Sequence, residues 1–239
     1  MDLGLKGKRA LVTGSTKGIG RAIAEVLLAE GASVAICART PDAVQAAIAE
    51  MSERGTVVGD IVDAASLGSV ESWIASSAAQ LGGIDIYVHN TSGKPQKVLT
   101  EWSKNFEIDL VSLVGGVAAA ADFLAADGGG SLVSIGTTAS VEHFGSGSGS
   151  YSAFKAAVTN WTLGQAQVLG ARGIRCNVVS PGPIVFEGET GPQSAPQNPS
   201  FTTRRLRITP PDGSAPRKML RTRSRSLRAP RPPISTVPT

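Results

Sequence analysis

Between Arg9 and Val179, short apolar runs alternate with longer amphipathic ones, and few folds accommodate that rhythm. Arg9–Thr13, Ser33–Ala38, Thr56–Asp60, Ile84–His89, Ser131–Ile135 and Ile174–Val179 read as strands. Helical patterns over Gly18–Glu30, Pro41–Glu53, Ser66–Leu81, Leu99–Ala126 and Tyr151–Gly170 separate them. Short, continuously apolar strands joined by helices predict an α/β fold, a doubly wound parallel sheet covered on both faces. In the first helix Ile23, Val26 and Leu27 are expected on the inner face. The apolar run from Val111 to Ala126 is interrupted by Gly115, Gly116 and Asp122 and is short for a bilayer span. The two cysteines, Cys37 and Cys176, lie in separate apolar strands. That placement suits reduced, buried thiols and offers no disulfide framework and no metal site. With no signal-like apolar stretch at the N-terminus, a soluble, cytoplasmic protein is expected.

Charge divides the chain in two. Residues 1–187 hold 13 basic against 17 acidic side chains, whereas residues 188–239 hold 10 against 2, together with 10 of the 14 prolines. The basic pI therefore describes the tail and not the body. After Ser180-Pro-Gly-Pro-Ile184 the periodicity stops, and segments such as Arg221-Thr-Arg-Ser-Arg-Ser-Leu-Arg228 offer too little apolar surface to offset ordering entropy. Residues 1–187 are read as one nucleotide-binding domain and 188–239 as a disordered basic tail. A nucleic-acid arm would be the functional reading of that tail, but aromatic side chains beyond Phe201 are lacking and none is expected. The abrupt change suggests an out-of-frame or otherwise aberrant C-terminus.

The first strand runs into Thr13-Gly-Ser-Thr-Lys-Gly-Ile-Gly20, which opens the first helix. Gly14 permits the turn, Gly18 lets the backbone approach a pyrophosphate, and Gly20 lets helix and strand pack closely. Helix N-terminal N–H groups would then face phosphate, with Ser15, Thr16, Lys17 and Ile19 completing the loop. No Gly-Lys-Ser/Thr follows, so this is not a mononucleotide P-loop. The second strand closes with Cys37-Ala-Arg-Thr40 and carries no carboxylate for a ribose 2′-hydroxyl. Arg39 and Lys17 would instead meet a 2′-phosphate, which favours NADP(H), with NAD(H) the alternative. Asp60, at the end of the third strand, would hydrogen-bond adenine or cap the next turn.

Tyr151 and Lys155 stand four residues apart on one helix, hence side by side. A free phenol titrates near about 10, and an adjacent ammonium would lower it. Tyr151 could then give a proton to a carbonyl oxygen as hydride arrives, or take one from an alcohol. Lys155 could also bond the cofactor ribose.

Taken in order, these motifs resemble those of the classical short-chain dehydrogenase/reductase family over about residues 5–187. Asn90, in Val88-His-Asn-Thr-Ser-Gly93, is similar to the Asn-Asn-Ala-Gly motif after the fourth strand. Asn177 with Pro181, Gly182 and Ile184 resembles the segment that meets the nicotinamide. The resemblance implies a Rossmann-like sheet of order 3-2-1-4-5-6-7, a nicotinamide cofactor across the carboxyl ends of the strands, a small carbonyl or alcohol substrate, and a dimer through the two long helices. The sequence departs from the pattern in several places. The catalytic serine is replaced by Thr137 on motif alignment or Thr138 on spacing, with Ser140 a third candidate. The relay asparagine is Asp109, which could bind the relay water. His89 stands for the first Asn of its motif, and Ser92 for a glycine. His143 reads as a substrate-side or solvent residue. The lid and seventh strand of the family are not recognisable, and Phe186 stands where a threonine is common. A buried strand contributes about 5–10 kcal/mol, so a catalytically impaired, nucleotide-binding remnant is the alternative reading.

Overall fold

The computed structural model describes residues 3–93, 99, 102–142, 149–182 and 184. His143, Phe186 and the tail 188–239 lie outside the described residues, as do the domain boundary at 187 and the question of the seventh strand.

Six strands and the helices between them follow the expected alternation. In chain order they are β1 (Arg9–Val12), α1 (Gly18–Ala29), β2 (Ser33–Ala38), α2 (Pro41–Met51), β3 (Val57–Ile61) and α3 (Ser69–Leu81). Then come β4 (Ile86–His89), α4 (Trp102–Phe106), a π-helical turn (Glu107–Val111), α5 (Ser112–Ala126), β5 (Ser131–Ile135), α6 (Ser150–Gly170) and β6 (Arg175–Val179). The sheet order is β3-β2-β1-β4-β5-β6 with every pair parallel, so β1 and β4 lie adjacent at the centre. That is the Rossmann-like topology expected for its first six strands.

Because side chains alternate across a strand, each face of the sheet builds its own core. Ala10, Val12, Val34, Ile36 and Val88 pack against Ala24, Leu27 and Leu28 of α1 and Ala47 and Met51 of α2. Leu11, Ala35, Tyr87 and Leu132 face the other way, onto Trp73 and Ile74 of α3, Leu113 and Leu124 of α5, and Val158 of α6. Val26 is not on the inner face. It is 45 % exposed, because at 3.6 residues per turn it stands about 100° round from Leu27. Helix α3 begins at Ser69, three residues later than the pattern suggests. Asp63 first accepts the Ala65 N–H, and Gly68, at φ +80°, completes a turn before the helix starts.

The helical stretch Trp102–Ala126 is 25 residues long, longer than the apolar run alone indicates, and its most apolar 18-residue window has a mean hydropathy of 1.8. Half of that window is buried. Its glycines explain the close packing. A Cβ at Gly115 would strike the Glu71 carboxylate of α3, and one at Gly116 the Tyr87 phenol of β4.

At the amino ends of the strands, Asp85 ties the sheet together. It accepts from the Arg9 backbone N–H at 2.9 Å, from Arg9 Nε at 2.7 Å and from Lys8 Nζ at 3.3 Å, while Arg9 also pairs with Asp127 beyond α5. The opposite, carboxyl ends of β1, β4 and β5 are left to build a site.

Candidate active site

The glycine-rich turn is held from two sides. Thr13 Oγ1 accepts the backbone N–H groups of Asn90 and Thr91 at 2.8 and 3.0 Å. The Asn90 carboxamide reaches back to donate to the carbonyls of Thr13 and Gly14, each at 3.0 Å. Asn90 is thus a strap across the central strands β1 and β4. Its presence explains Gly20, where a Cβ would run into both the Asn90 carboxamide and the Gly14 carbonyl. Gly14 and Gly18 take φ values of +61° and +57°, conformations that favour glycine.

Ser15 departs from its expected role. It is fully buried, its hydroxyl donates to the Val12 carbonyl at 2.6 Å and accepts the Cys37 N–H at 3.1 Å, and its own N–H bonds the Cys37 carbonyl. Ser15 therefore braces the loop from beneath against β2, where nothing in the loop sequence points. Burial beside it pushes the Cys37 thiol up to about 12.

Above this brace lies a cleft of about 780 Å³, a size suited to a cofactor. Gly14, Thr16, Lys17, Gly18, Ile19, Arg39 and Asn90 line it, so the phosphate-loop residues and the cation after β2 meet as the sequence suggests. Helix α1 opens onto the loop with no side-chain cap and no acidic residue in its first turn. Its first N–H groups and their partial positive charge are consequently available to an anion. Asp60 is not among the lining residues. It is exposed, in register with Cys37, and its carboxylate accepts the neighbouring Ile61 N–H at 2.7 Å, whereas Val62 and Asp63 line the cleft.

The second half of the site grows from the π-helical turn and α6. Such a turn re-aims side chains, and π-turns cluster at functional sites. Here it points Asp109 inward, where the side chain is fully buried. One carboxylate oxygen accepts the Gly93 N–H at 3.1 Å, and the other lies 3.3 Å from Lys155 Nζ. Lys155, itself 2 % exposed, also donates to the Ile135 carbonyl at 2.9 Å. Asn105, one turn before Asp109, donates to Ser150 Oγ at 2.9 Å and packs so tightly on Gly93 that no Cβ fits there. Sequence reasoning overlooked Asn105 and Thr13. Only the one-turn spacing of Asn105 from Asp109 could have flagged the former.

Tyr151 hydrogen-bonds Thr137 and is partly buried. Burial raises its pKa above that of a free phenol, the Thr137 contact lowers it by less, and the Asp109 charge raises it again. The expected depression by Lys155 is absent from this balance. Burial draws the Lys155 ammonium down, and pairing with Asp109 counters that. His89, beneath them and fully buried, is pushed down to about 3, first by burial and then by the Lys155 charge, and so stays neutral.

Three hydroxyls were candidates beside the phenol. Ser140 is turned onto the Thr137 carbonyl at 2.7 Å. Thr138 contributes its backbone N–H, which bonds the Pro181 carbonyl at 3.1 Å and so anchors the Pro181-Gly182 segment beside Thr137. Thr137 accepts the Ala139 N–H at 3.2 Å and reaches the phenol. Asn177 is an exposed residue of β6, and Ile184 is 37 % exposed.

Comparison with known proteins agrees with this fold. The short chain dehydrogenase family profile matches residues 8–192. The isoepoxydon dehydrogenase of Penicillium expansum is 34 % identical over 87 % of this chain and 83 % of its own. The 3-oxoacyl-[acyl-carrier-protein] reductase of Escherichia coli is 32 % identical over 75 % of each. Among solved structures, L-sorbose reductase from Gluconobacter frateurii complexed with NADPH and L-sorbose superposes with a TM-score of 0.73 at 29 % identity, covering 77 % of this chain and 73 % of that one. A short chain dehydrogenase from Burkholderia cenocepacia in complex with NADP gives 0.70 at 33 % identity, with 77 % of each covered. The chain belongs to the short-chain dehydrogenase/reductase family of oxidoreductases, which binds NAD(P)(H).

Proposed function

We propose that this chain is an NADP(H)-dependent cytoplasmic reductase that converts a small carbonyl compound to its alcohol. The observation that carries the reading is the pairing of a phenol kept protonated at neutral pH, Tyr151, with the Thr137 hydroxyl. The uncapped start of α1 and the Gly14, Gly18 and Gly20 turn fit a dinucleotide, with Thr16, Ile19 and Asn90 along its path. Lys17 and Arg39 would hold a 2′-phosphate, and Pro181, Gly182 and Ile184 would border the nicotinamide. When bound, the dinucleotide supplies the hydride that reduces the carbonyl carbon. Tyr151 gives its phenolic proton to the carbonyl oxygen and regains one from solvent. Thr137, whose oxygen already accepts from Ala139, directs its own proton at the same oxygen. Running in reverse, the site would oxidise a secondary alcohol, increasingly as pH rises and Tyr151 ionises. Exposed Val114 and Phe123 on α5, with Leu163 and Val168 on α6, support a homodimer through these helices.

The test is NADPH consumption against a panel of aldehydes and ketones, with Arg39→Ser beside the wild type. A charge-assisted contact is worth about 1.5–3 kcal/mol, so the variant should bind NADPH about 10- to 100-fold more weakly and leave NADH binding unchanged. Equal loss for both cofactors would remove the 2′-phosphate assignment. Binding without any turnover would favour a nucleotide-binding protein, the alternative that the capture of Lys155 by Asp109 supports.

A further inference from the structure

Beneath the site the structure joins a carboxylate to the lysine that should serve the tyrosine. Lys155 Nζ lies 3.3 Å from Asp109 Oδ1 and 2.9 Å from the Ile135 carbonyl, with both side chains almost wholly excluded from solvent. The second Asp109 oxygen is fixed by the Gly93 N–H, so the carboxylate has little freedom to turn away. Among the described residues, the titratable groups that interact with this pair are the neutral His89 from β4 and Tyr151 on α6, and the Ile135 carbonyl of β5 accepts from the lysine. Neighbouring opposite charge holds a buried ion in place far more strongly than it would in water.

We propose that Asp109 is a positioning residue that clamps Lys155, drawing its ammonium into a buried ion pair and withholding that charge from Tyr151. An uncharged side chain of the same shape, an amide, would keep the Gly93 contact and release the lysine to act on the phenol. This rests on the reading of Tyr151 as the proton donor, but its consequence is a property of the phenol alone and is measurable without substrate.

The experiment is an alkaline titration of tyrosine ultraviolet absorbance, with Tyr151→Phe as the reference that removes the Tyr87 contribution. Three proteins are compared: wild type, Asp109→Asn, and Asp109→Asn combined with Lys155→Met. In Asp109→Asn the Tyr151 phenolate should form about one pH unit or more below its position in wild type. It should also lie below the double variant, in which no ammonium is left to act. Coincidence of Asp109→Asn with wild type, or with the double variant, overturns the clamp. Should Asp109→Asn fail to fold, wild type alone decides: a Tyr151 titration at or above the free-phenol value of about 10 supports the clamp, and one well below it overturns it. Turnover is scored separately on the carbonyl panel, so an inactive protein with the expected titration sinks the reductase reading and leaves the clamp standing.

Discussion

Two residues separate packing from chemistry in this site. Thr137 reaches the Tyr151 phenol, while Thr138 is tied through its backbone to Pro181. Removing one preorganised donor to a developing oxyanion costs about 10²–10³ in kcat. Thr137→Val should therefore lose activity on that scale and leave NADPH affinity intact, whereas Thr138→Val should stay within a few-fold of wild type; steady-state kinetics on both variants would decide. Gly20, in the glycine-rich turn after β1, is a packing residue. A Cβ there meets the Asn90 carboxamide and the Gly14 carbonyl, neither of which can retreat without breaking the strap. Overpacking of this kind costs about 1–3 kcal/mol, so Gly20→Ala should lower the melting temperature and weaken NADPH together. What was legible at this scale was whatever depends on local spacing: the positive-φ glycines of the turn and the cleft-lining positions of Lys17, Arg39 and Asn90. What was not legible depends on a distant partner. Ser15 is turned inward by Cys37, 22 residues on. Lys155 is claimed by Asp109 across the fold, and no spacing rule on a single helix announces that contact.

At the scale of elements, continuous apolar runs fixed the strands well, and Ser33–Ala38 and Ser131–Ile135 have the bounds expected of them. Helices α1 and α2 start where expected, whereas the start of α3 was missed because the turn closed by Gly68 depends on a φ value that hydrophobic period does not encode. The π-helical turn is likewise silent in the sequence, since it changes one hydrogen-bond register inside an otherwise helical pattern. The tie between β1 and β4 carries a pH signature. Burial alone would raise the Asp85 pKa, but hydrogen bonds from the Arg9 side chain and backbone and from Lys8 outweigh it and hold it below the ordinary value. A carboxylate depressed on folding stabilises fully above its unfolded pKa of about 4. That contribution is lost as pH falls through the lower folded value. Asp85→Asn should cost about 2 kcal/mol at neutral pH and flatten the acid limb of stability against pH. Urea unfolding of both proteins across the acid range would show it, and parallel limbs would contradict it.

For the whole molecule, the proposed site draws on both halves of the sheet, so its ligand should act as a clamp on the entire domain. The phosphate loop follows β1, Arg39 follows β2, Asn90 follows β4, and Tyr151 with Thr137 belongs to the β5–α6 side. Among the described residues β6 pairs only with β5, and its Val179 is 51 % exposed. Binding to the folded state alone contributes about 2.7 kcal/mol at a ligand concentration of a hundred times Kd. For a chain of this length each kcal/mol moves the midpoint by about 2–4 °C. Saturating NADPH should accordingly raise Tm by about 5–10 °C, and NADH at the same concentration by clearly less, because it lacks the 2′-phosphate that Lys17 and Arg39 would meet. A thermal titration with the two cofactors tests cofactor choice and global coupling at once. A larger shift with NADH would reassign the cations after β1 and β2 to solvent. A cooperative transition moved by neither cofactor would mean that the cleft does not bind the dinucleotide in the way its glycine turn implies.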